Sequence, residues 1–131
     1  MAVITPFLMF QDGKAEAAME LYTSLFPDSE IIDAAYYDEE GPGPVGTVVR
    51  ATFRLGDQQV ICIDSPVKHE FGFTPSFSFF VDCDSAAQLD MLMGELGADG
   101  EVLMAAGDYG FSQRFGWIAD RFGVTWQFNV A

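Results

Sequence analysis

The final stretch of the chain, YGFSQRFGWIADRFGVTWQFNV (Tyr109–Val130), decides the fold. It begins with a loop rich in glycine and aromatic residues, turns at Asp120–Gly123 and ends in a strand. In that strand four apolar residues alternate with three polar ones: Val124, Trp126, Phe128 and Val130 with Thr125, Gln127 and Asn129. This alternation is typical of a strand with one buried and one polar face. The polar face either lines a site or faces water, as on many antiparallel sheets.

Composition restricts the class of protein. With 131 residues, 50% of them hydrophobic and 15% aromatic, the chain can form one domain with a single core, and disorder is excluded. The net charge of −14 excludes nucleic acid and anionic membrane surfaces as partners, because phosphates would be repelled. No apolar run has the length of a membrane span, and MAVITPFLMF lacks the basic flank of a signal peptide. We expect a cytoplasmic protein.

The cysteines and the histidine do not form a metal motif. Cys62 and Cys83 both lie in apolar, strand-like surroundings, which favours two free buried thiols in the cytoplasm over a disulfide. No CxxC pair or cluster of histidine and cysteine is present. The one histidine, His69, falls between the two halves of the chain, where we expect it to be solvated.

The first half has the pattern of one strand, one helix and three further strands. The first strand is nearly continuous in apolar residues, which predicts burial on both faces. The helix is amphipathic and ends at Pro27. The last two strands form a hairpin around Gly56-Asp57. The predicted elements are Val3–Phe10, Lys14–Phe26, Glu30–Tyr37, Val48–Leu55 and Gln59–Asp64.

The pattern then repeats after a connector at residues 65–75. Phe77–Val81 is predicted to be a strand, and Ser85-x-x-Gln88 is a capping box that opens a second helix. A shift of 70 residues superposes the two halves, with Phe7 on Phe77 and Met19 on Leu89. The chain therefore reads as a duplicated βαβββ module in an α+β fold, with module one at about residues 1–66 and module two at about 76–131.

Four segments carry a resemblance to a known family: PFLMF…AEAAMELYTSLFP, RATFRLGDQQVICIDS, PSFSFFVDCD and RFGWIADRFGVTWQFNV. The chain resembles the vicinal oxygen chelate superfamily, which includes glyoxalase I, bleomycin-resistance proteins and extradiol dioxygenases. Within it the chain looks like the PhnB-like group. The resemblance implies a single glyoxalase-like domain whose two modules form a curled, cup-shaped mixed sheet with outer helices, and a homodimer.

Members of this group are often labelled 3-demethylubiquinone-9 3-methyltransferase. A methyltransferase that uses S-adenosylmethionine needs a glycine-rich loop after a strand. The one G-x-G segment here, in DEEGPGPVG, contains proline and precedes a strand. The label therefore does not fit these residues.

The resemblance also implies where metal ligands would lie. In metal-binding members, the corresponding positions fall on Phe7 (or Thr5), Arg50, Phe77 and Gln127. None of these is a histidine or carboxylate, the side chains that divalent metals require. We therefore expect no metal and no other cofactor.

Strand alternation predicts which side chains line the cup. Ala51 and Phe53 form the apolar face of their strand, so that Arg50, Thr52 and Arg54 share the other. An arginine in the cup would favour an anionic or carbonyl-bearing ligand; alternatively, the arginines pair with acids of the chain. The favoured function is a protein that binds an aromatic or anionic small molecule, and the alternative is an enzyme (lyase, isomerase or transferase type) acting on a carbonyl-bearing small molecule. The predicted ligand-binding residues are Phe7, Met9, Arg50, Thr52, Phe77, Phe79 and Gln127.

Overall fold

A computed structural model describes residues 1–131, which form two compact units, Met1–Glu70 and Phe71–Ala131. Each unit contains one helix and four strands in the order βαβββ. The α+β architecture and the duplicated module predicted from the sequence are confirmed. The boundary between the units falls inside the predicted connector at residues 65–75.

The first unit is a four-stranded mixed sheet with one helix. Its strands are ordered β1-β4-β3-β2, with β1 parallel to β4 and the other neighbours antiparallel. The helix packs on one face of this sheet, where the ring of Tyr22 lies 6.1 Å from that of Phe53. The elements are β1 Phe7–Phe10, α1 Ala15–Leu25, β2 Glu30–Tyr36, β3 Val48–Leu55 and β4 Gln58–Asp64.

A buried carboxylate joins three elements of this unit. Lys14 at the start of α1 provides no side-chain cap. Instead, Asp64 at the end of β4 accepts hydrogen bonds from the backbone amides of Ala15, at 2.9 Å, and Val48, at 2.8 Å. The carboxylate therefore satisfies a free amide of the helix N-terminus and interacts favourably with the helix dipole.

The second unit repeats the arrangement, with its strands in the order β5-β8-β7-β6 and β5 parallel to β8. The predicted cap at Ser85 is confirmed, because its hydroxyl accepts from the amide of Gln88 at 3.1 Å; the Gln88 side chain accepts from the amide of Asp84, one residue before the position expected in a capping box. Neither helix of the protein is long and apolar enough to cross a membrane. The elements are β5 Ser78–Asp82, α2 Ala86–Gly97, β6 Glu101–Gly107, β7 Arg114–Ala119 and β8 Thr125–Val130.

The prediction for the first strand was wrong in its extent and burial. Strand β1 begins at Phe7, and Val3 and Ile4 before it are exposed. Phe7 itself is 55% exposed, whereas Leu8 and Phe10 are buried. The strand lies at the edge of its sheet and α1 covers one face, so apolar residues on the other face are not enclosed by this unit's helix.

Candidate functional site

Each sheet has one face against its helix, and we call the other face the distal face. In the first unit, Phe10, Ala51 and Phe53 are buried on the helix side. The cross-strand register places Phe7 opposite Ile61, and Ile61 opposite Thr52, on the distal face. The distal face of this unit includes Phe7, Met9, Asp33, Ala35, Arg50, Thr52, Arg54, Ile61 and Ile63.

Four predicted site residues thus share one surface: Phe7, Met9, Arg50 and Thr52. Arg50 pairs with Ala35 of β2 and precedes Ala51, which pairs with Cys62. This register places Ile63 next to Arg50, and Met9 next to Ile63. Arg50 therefore shares its row with Ala35, Ile63 and Met9, and the next row along β3 holds the polar Thr52 and Asp33. The role of the four predicted residues in ligand binding stays a prediction.

The two arginines of this face have different surroundings. Arg54 donates to the carbonyl oxygens of Asp28 and Gly56, at 2.6 and 2.8 Å. It also forms an ion pair with Glu30 at 3.2 Å. Arg50, four residues earlier on the same strand, is exposed and forms no ion pair with any carboxylate of the chain. The sequence left open whether these arginines pair with acidic residues of the chain. Arg54 does so, and Arg50 does not.

On the distal face of the second unit, one row of side chains crosses all four strands. Phe80 pairs with Gln127, Gln127 with Trp117, and Trp117 with Met104. Phe80 is 57% exposed, while Gln127 and Trp117 are partly exposed. An amide is therefore flanked by two aromatic side chains.

A directed chain of hydrogen bonds holds the indole of this row. The Thr125 hydroxyl donates to the carbonyl of Phe77 at 2.6 Å, so it accepts from the Ser78 hydroxyl, also at 2.6 Å. Ser78 in turn accepts from the indole nitrogen of Trp117 at 3.3 Å. Each donor in this chain is satisfied, and the ring of Trp117 is held in one orientation.

The predicted placement of Phe79 was wrong. Phe79 pairs with Trp126, their ring centroids are 4.7 Å apart, and Trp126 also pairs with Ile118, which packs on Gly97 of α2. Phe79 therefore lies on the helix side, opposite to Gln127. The physical reason is the pairing of β5 with β8, which places Phe80 rather than Phe79 beside Gln127.

Phe77 also differs from its predicted position. It precedes β5 instead of lying in it, and its ring packs against Phe79 at 5.7 Å. The signal that could have found Phe80 is the repeat offset, since a shift of 71 residues places Leu8 on Phe79 and Met9 on Phe80. The sequence did not predict that Trp117 belongs to this row. Its pairing with Gln127 depends on the register between β7 and β8 in the final hairpin.

The glycine-rich segment before β7 packs on the same sheet. The rings of Tyr109 and Phe111 are stacked at 6.3 Å, and Phe111 lies edge-on to Phe115 at 5.1 Å. Phe115 in turn contacts the exposed Phe80, with centroids 6.4 Å apart. The hydroxyl of Tyr109 donates to the carbonyl of Ala105 at 2.5 Å. These aromatic residues therefore cover one end of the distal face.

The donor atoms at the four family positions do not fit a divalent metal. Phe7 and Phe77 offer no ligand atom, Arg50 is a cation, and the side chain of Gln127 provides a single neutral oxygen. In addition, no three side chains of histidine, cysteine, aspartate or glutamate lie together as a metal site would require. We therefore assign no chemistry to a metal at these positions.

Three groups have a raised pKa. A hydrogen bond with Glu16 raises the pKa of Tyr36 to about 12, and burial raises that of Cys62 to about 12. Burial also raises the pKa of the Cys83 thiol. All three groups stay protonated at neutral pH, so none of them supplies a phenolate or thiolate there.

Comparisons with known proteins agree with this architecture. The family model described as 3-demethylubiquinone-9 3-methyltransferase matches residues 2–129. The PhnB protein from Bacillus cereus, which carries the same description, is 51% identical, with a TM-score of 0.96 over 99% of this chain and 100% of that one. The protein PA1353 from Pseudomonas aeruginosa is 26% identical, with a TM-score of 0.79 over 99% of this chain and 98% of that one.

A more distant structure shares only the fold. The fosfomycin resistance protein FosX from Listeria monocytogenes is 10% identical, with a TM-score of 0.66 over 100% of this chain and 93% of that one. This likeness identifies the fold as glyoxalase-like. No protein of curated function is significantly similar to this chain in sequence.

Proposed function

Because the chain belongs to the PhnB-like family described as 3-demethylubiquinone-9 3-methyltransferase, on a glyoxalase-like fold, we propose that it is a small-molecule-binding protein. Its ligand is an aromatic molecule that carries an anionic or carbonyl group, and binding needs no metal. The observation that supports this proposal most strongly is Arg50, a guanidinium on the distal face of the first sheet without an ion-pair partner.

The surroundings of Arg50 favour a ligand with both an acidic and an apolar part. Of the six basic residues, Arg54, Lys68 and Arg114 form ion pairs with acidic side chains, whereas Arg50 lies on the distal strand face without one. A guanidinium binds a carboxylate through two parallel hydrogen bonds. Because Arg50 is exposed, such an ion pair alone would contribute little. The apolar neighbours Phe7, Met9 and Ile63 would supply the burial that makes binding measurable.

The proposal is tested with a defined probe, 2-naphthoate, by isothermal titration calorimetry. We expect the wild-type protein to bind 2-naphthoate, and Arg50→Met to weaken binding at least about tenfold through loss of the charge-assisted hydrogen bonds. Arg54→Met is the matched control, because it removes the same charge from the same strand and face. Its guanidinium is already occupied by Asp28, Gly56 and Glu30.

Arg54→Met is expected to lose stability. It should keep its affinity for 2-naphthoate to within about threefold, because substitutions at sites that share no partner act independently. Equal binding by the wild type and Arg50→Met would overturn the role of Arg50. Failure of the wild type to bind 2-naphthoate would overturn the proposed function.

The alternative function is an enzyme acting on a carbonyl-bearing small molecule. It is favoured by the same unpaired guanidinium, because a positioned cation can polarise a carbonyl oxygen. The two functions differ in the fate of the ligand. A bound ligand recovered unchanged by mass spectrometry after prolonged incubation supports binding, and a changed mass supports the enzyme.

We also propose that the protein forms a homodimer. Strand β2 lies at the edge of the first sheet and carries Ile31 and Ile32, which are 37% and 42% exposed. Exposed apolar side chains on an edge strand favour association with another chain. Light scattering should give a mass of two chains, and a monomer at micromolar concentration would contradict this.

A cytoplasmic location is part of the same proposal. Both cysteines are free and buried, as is usual for proteins of a reducing compartment. Fractionation of cells that express the tagged protein tests this location, and recovery outside the cytoplasm would contradict it.

A further inference from the structure

We propose that the row Phe80–Gln127–Trp117 recognises a neutral planar heterocycle that presents an N–H donor beside a C=O acceptor, such as a lactam or imide edge. This inference rests on the proposed small-molecule function and names the chemical class of the ring that binds. It comes from the second unit alone, whereas the proposal for Arg50 comes from the first.

The amide of Gln127 is the group in this row that is left without a partner. No hydrogen bond is formed by its carboxamide, whereas the neighbouring polar groups of Ser78, Thr125 and Trp117 are bonded to one another. A carboxamide has a donor and an acceptor side by side in one plane. The complementary partner is therefore another group with an acceptor and a donor side by side.

The two flanking side chains suit a flat ring. Trp117 is held by its hydrogen bond to Ser78, so its indole presents a fixed surface. Phe80 lies on the other side of Gln127 and is 57% exposed. Residues two strands apart are separated by about 10 Å. One flat ring system can therefore enter between the aromatic side chains with its edge towards the amide, and contact between aromatic rings would stabilise it.

Charge favours a neutral ring over an anion at this row. The second unit has two cations, and both are engaged elsewhere. Arg114 pairs with Asp90 of α2 at 2.8 Å, and Arg121 donates to the carbonyl of Glu95 at 3.4 Å. Without a free cation, an anion beside Gln127 would lose hydration and gain no opposite charge. A neutral lactam edge loses less hydration and recovers two hydrogen bonds.

The test compares two probes that differ at one atom: quinolin-2(1H)-one, which has the lactam N–H, and 1-methylquinolin-2(1H)-one, which lacks it. Affinities are measured by isothermal titration calorimetry with the wild-type protein. We expect the lactam to bind at least about tenfold more tightly than its methylated form, because the methyl group leaves the Gln127 oxygen without a donor.

Two variants separate recognition from folding. Gln127→Leu should bind both probes equally, so that the preference for the lactam disappears while the circular dichroism spectrum is kept. Trp117→Phe should weaken both probes by a similar factor and keep the preference, because it removes stacking area and leaves the amide. Equal binding of the two probes by the wild type, or a preference that survives in Gln127→Leu, would overturn this inference.

The outcome also separates this inference from the proposed function. Binding of 2-naphthoate through Arg50 without any binding of the lactam overturns the heterocycle proposal alone. If neither 2-naphthoate nor the lactam binds, both proposals fail.

Discussion

Trp126 donates its indole N–H to the buried carboxylate of Asp120 at 3.0 Å. The same carboxylate accepts from the backbone amides of Phe122, at 2.8 Å, and Val124, at 3.1 Å. Asp120 therefore closes the turn between the last two strands and holds the largest buried side chain of the second unit.

Asp120→Ala should lower the free energy of unfolding by about 3 kcal/mol or more, because three hydrogen-bond donors lose a charged acceptor inside the protein. Urea denaturation followed by tryptophan fluorescence measures the change. Glu70→Ala removes a carboxylate from an exposed position and should stay within about 0.5 kcal/mol of the wild type. A loss of less than about 1 kcal/mol in Asp120→Ala would contradict the structural role of this carboxylate.

Substitution by alanine should change the stability of the protein in opposite directions at two glycines of the second unit. A Cβ atom at Gly100 would collide with the backbone carbonyl of Ala119, whereas one at Gly94 in α2 meets nothing within 4 Å. Gly100→Ala therefore requires a shift of the backbone and should destabilise by about 2 kcal/mol or more. Gly94→Ala should stabilise by about 0.5–1 kcal/mol, because alanine is the better helix former. Thermal unfolding of both variants checks the prediction, and a stable Gly100→Ala protein would contradict the close approach of these chains.

The buried thiols should be unreactive in the native protein. Burial raises the pKa of Cys62 to about 12 from its ordinary value of 9.0, so the thiol stays protonated at pH 8. Labelling with a disulfide reagent at pH 8 should therefore be slow in buffer and rapid in urea, with two thiols per chain. Cys83→Ser isolates the reaction of Cys62. Rapid labelling of Cys62 in the native Cys83→Ser protein would contradict its burial.

The same pKa shift has a consequence for stability against pH. The folded state holds the Cys62 proton more tightly than the unfolded state. The stabilisation of the folded state by this tighter proton binding is therefore complete below about pH 9, and it is lost as the pH rises through about 12. Cys62→Ala should accordingly lose less stability between pH 9 and pH 11 than the wild type, measured by denaturation at each pH. An equal loss in the two proteins would contradict the shift.

S-adenosylmethionine should not bind this protein, despite the methyltransferase description of its family. Nucleotide-binding units use free amides at the helix that follows the first strand. In this protein the amide of Ala15 at that point donates to the carboxylate of Asp64, and the helix N-terminus is already neutralised. Titration calorimetry with S-adenosylmethionine should show no binding at millimolar concentration, and saturable binding would contradict this interpretation.

Local signals in the sequence were sufficient for most of the elements. Pro27 after the first helix, the cap at Ser85 and the turn at Gly56-Asp57 each act through their immediate neighbours, and the structure has elements ending or beginning at these points. Alternation on β3 identified the side on which Arg50 lies, because Ala51 and Phe53 are both buried. These features depend on residues close together in the chain.

The features that were not predicted depend on pairing between distant residues. The segment Phe77–Val81 has aromatic residues on both faces, so alternation cannot decide whether Phe79 or Phe80 lies beside Gln127. That choice is made by the register with β8, about 47 residues away. The role of Asp64 depends on a contact with Ala15, 49 residues away in sequence. The partner of a buried carboxylate is not visible in a local pattern.

The central claim, that Arg50 binds the acidic group of the ligand, is tested most directly by nuclear magnetic resonance of the arginine side chains. The chain has four arginines, Arg50, Arg54, Arg114 and Arg121, so their Nε–H signals can be assigned by single substitutions. Addition of 2-naphthoate to the ¹⁵N-labelled protein should shift and sharpen the Arg50 signal, because binding slows exchange of its proton, and should leave the Arg114 and Arg121 signals unchanged. An Arg50 signal that does not move while the protein is saturated with 2-naphthoate would contradict the account.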